Sequence, residues 1–171
     1  NLACVVNGVE GLKLTQPLRY CELGCGRGYG TVLLAAANPD IEFIGVDFNP
    51  SHIAEARSLA SRAKISNVTF YEMSFGDAAK SNDPKLANFD VVVLHGIYTW
   101  VERHVRDDIH QFIRDKLLAG GLVYNSYNTM PGWATAQPSQ RLVMEVAHRS
   151  TRDSIAVIEE AQTLLNGLVE H

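Results

Sequence analysis

The sequence predicts an α/β fold: an open, doubly wound, mostly parallel sheet. Short apolar runs of strand character alternate with stretches of helical periodicity over the first 128 residues, and that alternation favours parallel strands joined by right-handed helical crossovers. A turn carrying four glycines, "YCELGCGRGYG" at 20–30, joins the first strand to the first helix, and an acid, Asp47, ends the second strand.

Leu18 to Leu23 is the first strand, and "TVLLAAA" after the glycine turn is a helical run stopped by Asn38-Pro39. "IEFIGVD", 41–47, is the second strand. Asn49-Pro50 then supplies an N-cap and a first-turn proline, with Ile53, Ala56, Ala60 and Ala63 as the apolar stripe of a helix. "NVTFYEM", 67–73, is a third strand of β-branched and aromatic residues. "FDVVVLHG", 89–96, is a fourth that reads as buried on both faces. Between them "GDAAKSNDPKLAN" is polar and broken by Pro84, so mostly loop, with at most one turn of helix, is expected there. A helix from Arg103 to Leu118, closed by Gly120-Gly121, leads into a fifth strand, "GLVYNSYN".

Beyond Pro138 only helical spacing recurs, first at Leu142, Val143 and Val146, then at Ile158, Ala161, Leu165 and Leu168, with Ser150 or Thr151 as the cap between the two runs. The division is therefore a main domain at 1–137 and a helical C-terminal tail at 138–171, leading to parts outside this chain. The chain opens at Asn1 without a methionine, so a longer protein is expected.

Composition narrows the function classes. With 171 residues, 46% hydrophobic and 20% charged, the chain can bury a core of one ordinary domain. Its formal net charge of -4, with acids and bases interspersed, argues against a nucleic-acid partner or an anionic membrane surface. No apolar stretch reaches the ~20 residues of a membrane span, and no signal-peptide pattern is present. Three cysteines without CxxC spacing fit a reducing, cytoplasmic setting, with Cys21 and Cys25 as small packing residues. His52, His104, His110, His148 and His171 fall on helices or the terminus and form no metal set, so no metal is expected.

A glycine turn between strand and helix brings a ligand onto a helix N-terminus. Asp47 can accept hydrogen bonds from both hydroxyls of a ribose. The spacing Gly24-x-Gly26-x-Gly28-x-Gly30 departs from the GxGxxG register of a dinucleotide site, and Glu22 stands two residues before the first glycine. A carboxylate there repels a pyrophosphate and attracts a cationic amino group. The ligand that fits is adenosine joined to an amino acid: S-adenosylmethionine.

On "ELGCGRG" and "GVDFNP" the sequence resembles the class I methyltransferases, over nearly the whole stretch from Arg19 to Asn128. On "CELGCGRGYGTVLLAAANPDIEFIGVDFNPSHI", "VVLHGIYTWV" and "GGLVYNSYNTMPGW" it resembles more narrowly the bacterial methyltransferases that carry a separate regulatory domain, some of which are protein-lysine methyltransferases. The resemblance implies a Rossmann-like methyltransferase fold. That fold usually has two further strands after the fifth, which are expected to be lacking here, and residues upstream of Asn1 that help close the cofactor site.

By position, the resemblance implies that Gly24, Cys25, Gly26 and Gly28 line the methionine part of the cofactor with Glu22 near it, and that Asp47 holds the ribose. Phe48, Ser74 and Phe75 fall at the adenine, with Asp77 as an alternative, and His95 and Gly96 on the sulfonium side. Each has a plainer reading as well: Phe48 and Phe75 as core or rim aromatics, Ser74 as a turn cap, His95 as a hydrogen-bonded support for its loop.

Ligands of open α/β sheets lie outside the carboxyl ends of the strands. "HGIYTW" and "YNSYNTMPGW" therefore surround the methyl group, with Tyr98, Trp100, Tyr127, Asn128 and Trp133 as a slot for a flat or long apolar acceptor such as a lysine stem. His95 or Tyr127 is then positioned to orient the nucleophile or take its proton. The expected activity is methyl transfer to a protein or small-molecule acceptor, with S-adenosylhomocysteine as product. A cofactor-binding module that needs absent parts is the second reading, and an NAD-dependent oxidoreductase the third. A homodimer through the sheet edge or the C-terminal helices is the expected assembly.

Overall fold

A computed structural model describes residues 2–13, 16–151 and 153–169. In chain order the elements are α1 (Leu2–Val6), β1 (Leu18–Leu23), α2 (Tyr29–Ala37), β2 (Ile41–Asp47), α3 (Pro50–Arg62), β3 (Val68–Glu72), α4 (Phe75–Lys80), a 3-10 turn (Pro84–Leu86), β4 (Phe89–Leu94), α5 (Arg103–Lys116), β5 (Leu117–Asn125), α6 (Gln137–Arg149) and α7 (Ser154–Val169). By internal contacts the chain divides after Tyr127 into two compact units.

The first unit holds a five-stranded parallel sheet in the order β3-β2-β1-β4-β5. The order reverses between β1 and β4, and a ligand crevice belongs at the carboxyl ends of strands at such a switch point. The two faces carry separate cores. On one, Val32 of α2 and Ile53, Ala56 and Ala60 of α3 pack with Cys25 and Phe70. On the other, Ala78 and Ala79 of α4 and Ile109 and Phe112 of α5 cover Cys21, Leu23, Ile44, Val46, Val92 and Leu94. The alternation of inward residues along β1, β2 and β4 follows from the two-residue side-chain period of a strand. Asn49 caps α3 as its sequence expects, accepting from the Ser51 amide at 2.9 Å.

Several local expectations are corrected. Residues 76–88 are more ordered than their polarity implies: α4 starts at Phe75 under a Ser74 cap, and the 3-10 turn buries Leu86 completely. Gly120-Gly121 does not close the preceding helix. It lies within β5, where the register slips from Phe89↔Leu117 to Val91↔Leu122, so residues 118–121 form an irregularity that Gly120 accommodates at φ 83°. Ala63 is the exposed C-cap of α3 and not part of its buried stripe.

The second unit is helical, as the C-terminal spacing expects. Val146, Val157 and Ala161 form its core, with Val143 against them, while Ile158 is 58% exposed and belongs to the outer side of α7. Neither Ser150 nor Thr151 caps that helix: Asp153 Oδ1 accepts the amides of Ile155 and Ala156 at 3.0 Å each. The side chain of Leu168, like His171, lies outside the described residues.

Candidate functional site

The glycine turn connects β1 to α2 and is pinned to the end of β2, where Val46 O accepts the amides of Gly24 at 2.7 Å and Cys25 at 3.2 Å. Gly24, Gly26 and Gly28 all have left-handed φ, at 78°, 53° and 74°. At Gly28 packing adds to conformation, since a Cβ there would lie 2.6 Å from the Ala56 Cβ. At Gly26 the opposite holds: no atom stands within 4 Å of where a Cβ would be, so the turn presents open backbone. Gly30 already belongs to the first turn of α2.

Asp47 stands at the crevice, 7% exposed and held from several sides. Its Oδ2 accepts the Gly26 amide at 3.0 Å, and its Oδ1 accepts the Asn49 amide at 2.9 Å and lies 3.3 Å from His52 Nδ1. The carboxylate thus ties the glycine turn to the start of α3. Glu22, half-buried on β1, accepts from the buried Thr31 hydroxyl at 2.5 Å. The Cys25 side chain turns into the core beside Phe70, so this residue offers the turn its backbone. Burial, then the charges of Asp47 and Glu22, push its thiol up to about 12; burial first, then Cys25 and Glu22, raises Cys21 as well. Both stay protonated and unreactive near neutrality.

Phe48 follows Asp47 and is 75% exposed. Ser74 and Asp77 are hydrogen-bonded to each other: the Ser74 hydroxyl accepts the Asp77 amide at 3.1 Å and donates to Asp77 Oδ2 at 2.6 Å, which makes Ser74 the cap of α4. Phe75 is half-buried against the core of the α4 face, and its ring reaches the glycine turn, 3.7 Å from where a Gly24 Cβ would lie.

Past β4, His95 and Gly96 both meet Ser126 from the end of β5. The Ser126 hydroxyl accepts the Gly96 amide at 2.9 Å and sits 3.2 Å from His95 Nδ1, while the His95 ring stacks near Tyr124 at 6.4 Å between centroids. The Tyr98 hydroxyl pairs with His110 Nε2 at 2.9 Å, and the Arg106 guanidinium lies 5.5 Å over the Tyr98 ring. A cavity of about 340 Å³ at the ends of β4 and β5 is bordered by Tyr98, His110, Asn125 and Tyr127 on an apolar floor. Trp100 and Tyr127 are exposed, and Asn128 and Trp133 belong to the second unit, where Trp133 Nε1 donates to Gln140 Oε1 at 2.9 Å.

The first unit therefore brings Glu22, Gly24, Gly26, Gly28 and Asp47 together. His52, Thr31, Ser126 and His110 join the expected site residues as partners that sequence reasoning passed over. His52 had a signal: the Asn49-Pro50 helix start fixes it on the first turn of α3, beside the acid it follows by five residues. Ser126 and His110 had none, because their partners are distant in sequence. Among the described residues no cluster of three or more His, Cys, Asp or Glu could hold a metal, and no helix is long and apolar enough to cross a membrane.

Comparison with known proteins agrees with this fold. Protein sll1526 of Synechocystis sp. is 43% identical over 169 residues, which cover 99% of this chain and 33% of that protein. Trans-aconitate 2-methyltransferase of Methylobacterium nodulans is 26% identical over 136 residues, 80% of this chain and 46% of that enzyme. The solved structure of PKMT2 from Rickettsia typhi in complex with AdoHcy superposes with a TM-score of 0.69 at 28% identity, over 95% of this chain and 30% of that one. The chain thus spans less than half the length of each of these relatives. A family model described as a methyltransferase domain matches residues 14–166, and the chain belongs to that family.

Proposed function

We propose that this chain is the cofactor-binding and catalytic domain of an S-adenosylmethionine-dependent methyltransferase whose acceptor is a protein lysine amine. The observation that carries the reading is the buried Asp47 carboxylate, hydrogen-bonded to the Gly26 amide beside an open glycine backbone at the switch point of the sheet. This donor set fits the cofactor. Asp47 retains acceptor capacity for a ribose hydroxyl, Gly26 leaves room for close approach, Glu22 offers a carboxylate to an amino group, and the exposed Phe48 ring suits adenine.

When bound, the cofactor supplies a methyl group on a sulfonium that is its own leaving group, so the transfer is an in-line displacement. The protein's task is to hold the nucleophile and remove its proton. His95 lies beyond β4 on the reacting side. In the tautomer whose Nδ1 donates to Ser126, Nε2 can accept a proton, and Gly96, held by the same hydroxyl, fixes the loop. Tyr98, Trp100 and Tyr127 offer ring faces to an alkylammonium stem.

The lysine acceptor rests on the resemblance to regulatory-domain methyltransferases and on this aromatic surround. The similarity to trans-aconitate 2-methyltransferase supports a small-molecule acceptor instead. Calorimetric titration with S-adenosylhomocysteine and with NAD tests the cofactor: binding of the first and not the second is expected, and NAD binding alone overturns the reading. Mass spectrometry of an extract incubated with the full-length protein and isotopically labelled cofactor then identifies the acceptor. Cofactor binding without methyl transfer, with activity in a longer chain, identifies a binding module that works only with further segments; the chain's coverage of 33% of the Synechocystis relative favours keeping that second reading.

A further inference from the structure

The carboxylate of Asp47 has too few open acceptor positions for the ligand it is proposed to bind. Two carboxylate oxygens present about four lone-pair positions. Three are engaged within the protein: Oδ2 by the Gly26 amide, and Oδ1 by the Asn49 amide and the His52 ring. The two amides are backbone groups fixed by the glycine turn and by the start of α3, so neither gives way without moving an element. One position remains, on Oδ2, whereas a ribose diol brings two hydroxyl donors.

We propose that His52 supplies the second acceptor, so that the ribose is held by an Asp47–His52 pair. This rests on the cofactor reading above. His52 sits on the first turn of α3 with its side chain about one-third exposed, next to a carboxylate that is almost fully buried. Donation from Nδ1 to Asp47 selects the neutral tautomer in which Nε2 carries no proton, and Nε2 is the ring's remaining polar atom. One hydroxyl then donates to Asp47 Oδ2 and the other to His52 Nε2. Asp47 fixes the His52 tautomer, and His52 spares Asp47 a fifth donor, which would be the third on a single oxygen. Glu72, opposite Asp47 in the β2–β3 register, is the other acid from which a second acceptor could come.

The test is the affinity of the protein for S-adenosylhomocysteine and for its 2′-deoxy and 3′-deoxy analogues, measured by calorimetry on the wild type, His52→Ala and His52→Gln. Removal of either hydroxyl weakens wild-type binding, by about tenfold for the one on the charged acceptor and about fivefold for the one on the imidazole. His52→Ala is expected to bind S-adenosylhomocysteine about fivefold more weakly and to lose discrimination against one analogue while keeping it against the other. His52→Gln, which can place an amide oxygen where Nε2 stood, restores most of that discrimination. A merely structural role for His52 would weaken all three ligands alike. Unchanged discrimination in His52→Ala overturns the proposal and directs attention to Glu72. Failure of the wild type to bind S-adenosylhomocysteine at all overturns the cofactor reading itself and takes this proposal with it.

Discussion

At the amino end of the sheet, polar side chains close on one another. Arg19 donates to Glu42 at 2.8 Å, to Lys85 O at 2.8 Å and to Ala87 O, and its guanidinium lies over the Phe89 ring, while its own amide donates to Asp90 at 2.8 Å. Asn67 reaches the carbonyls of Ala35, Asn38 and Ile41 at 2.9–3.0 Å, joining the end of α2 to the start of β2. At the carboxyl end the same sheet carries left-handed glycines, an open backbone at Gly26, a carboxylate with one acceptor position left on Asp47 Oδ2, and an Asn125 Oδ1 that is buried without a partner among the described residues. One end spends its hydrogen bonds on stability and the other withholds some for a ligand. This is how a parallel sheet divides its two ends when all crossovers run the same way.

Substitutions at each end test that contrast. The largest effect is expected from Gly28→Ala, which forces a side chain into left-handed backbone and against Ala56. Stability should fall by roughly 2–5 kcal/mol in urea denaturation, and a near-neutral result would mean that the open end is plastic. At the opposite end, Arg19→Ala removes several hydrogen bonds of a charged, mostly buried group. A loss of about 3 kcal/mol is expected, with S-adenosylhomocysteine affinity unchanged; a change in affinity would show that the two ends are coupled.

Asp47→Ala sharpens the contrast from the other side. It should weaken S-adenosylhomocysteine binding by about 1.5–3 kcal/mol, the range for hydrogen bonds to a charged group, and calorimetry that finds the affinity unaltered would place the ribose elsewhere. The smallest effect is a pH dependence beneath the turn. Cys25 has its folded pKa raised to about 12 from an ordinary 9.0, chiefly by burial. A raised folded value favours the protonated thiol, so its contribution to stability is full below pH 9 and is lost as the pH climbs toward 12. Between pH 8 and 10.5 the wild type should lose about 2 kcal/mol more than Cys25→Ala. Parallel urea midpoints for the two proteins would contradict this.

Much of the fold was legible from local pattern. β1 and β2 run from Leu18 to Leu23 and from Ile41 to Asp47 as their apolar runs imply, and Asn49-Pro50 starts α3 where cap chemistry puts it. Local pattern failed where the deciding contact was remote. Residues 76–88 are polar in sequence, yet Gly76, Ala78, Ala79 and Leu86 are buried because α5 and the sheet lie against them. Gly120-Gly121 has the chemistry of a helix stop, but pairing with β4 draws it into a strand. Asp153 took the cap from Ser150 and Thr151, a choice between neighbours that spacing does not resolve.

The candidate site divides in the same way. The residue types and their order determined that a glycine turn and an acid two strand-ends apart would meet, because parallel crossovers of this length leave the ends of β1 and β2 adjacent. They also determined the polarity of the turn, since Glu22 and the missing GxGxxG register argue against a pyrophosphate. Only the tertiary structure decided how those groups are engaged: Glu22 bound to Thr31, Asp47 already carrying three donors, Tyr98 paired with His110, and His95 with Ser126. Sequence carries the chemical type of a side chain and its place on a strand or helix. How many of its hydrogen-bonding positions remain for a ligand depends on partners brought from elsewhere in the chain, and folding alone assembles them.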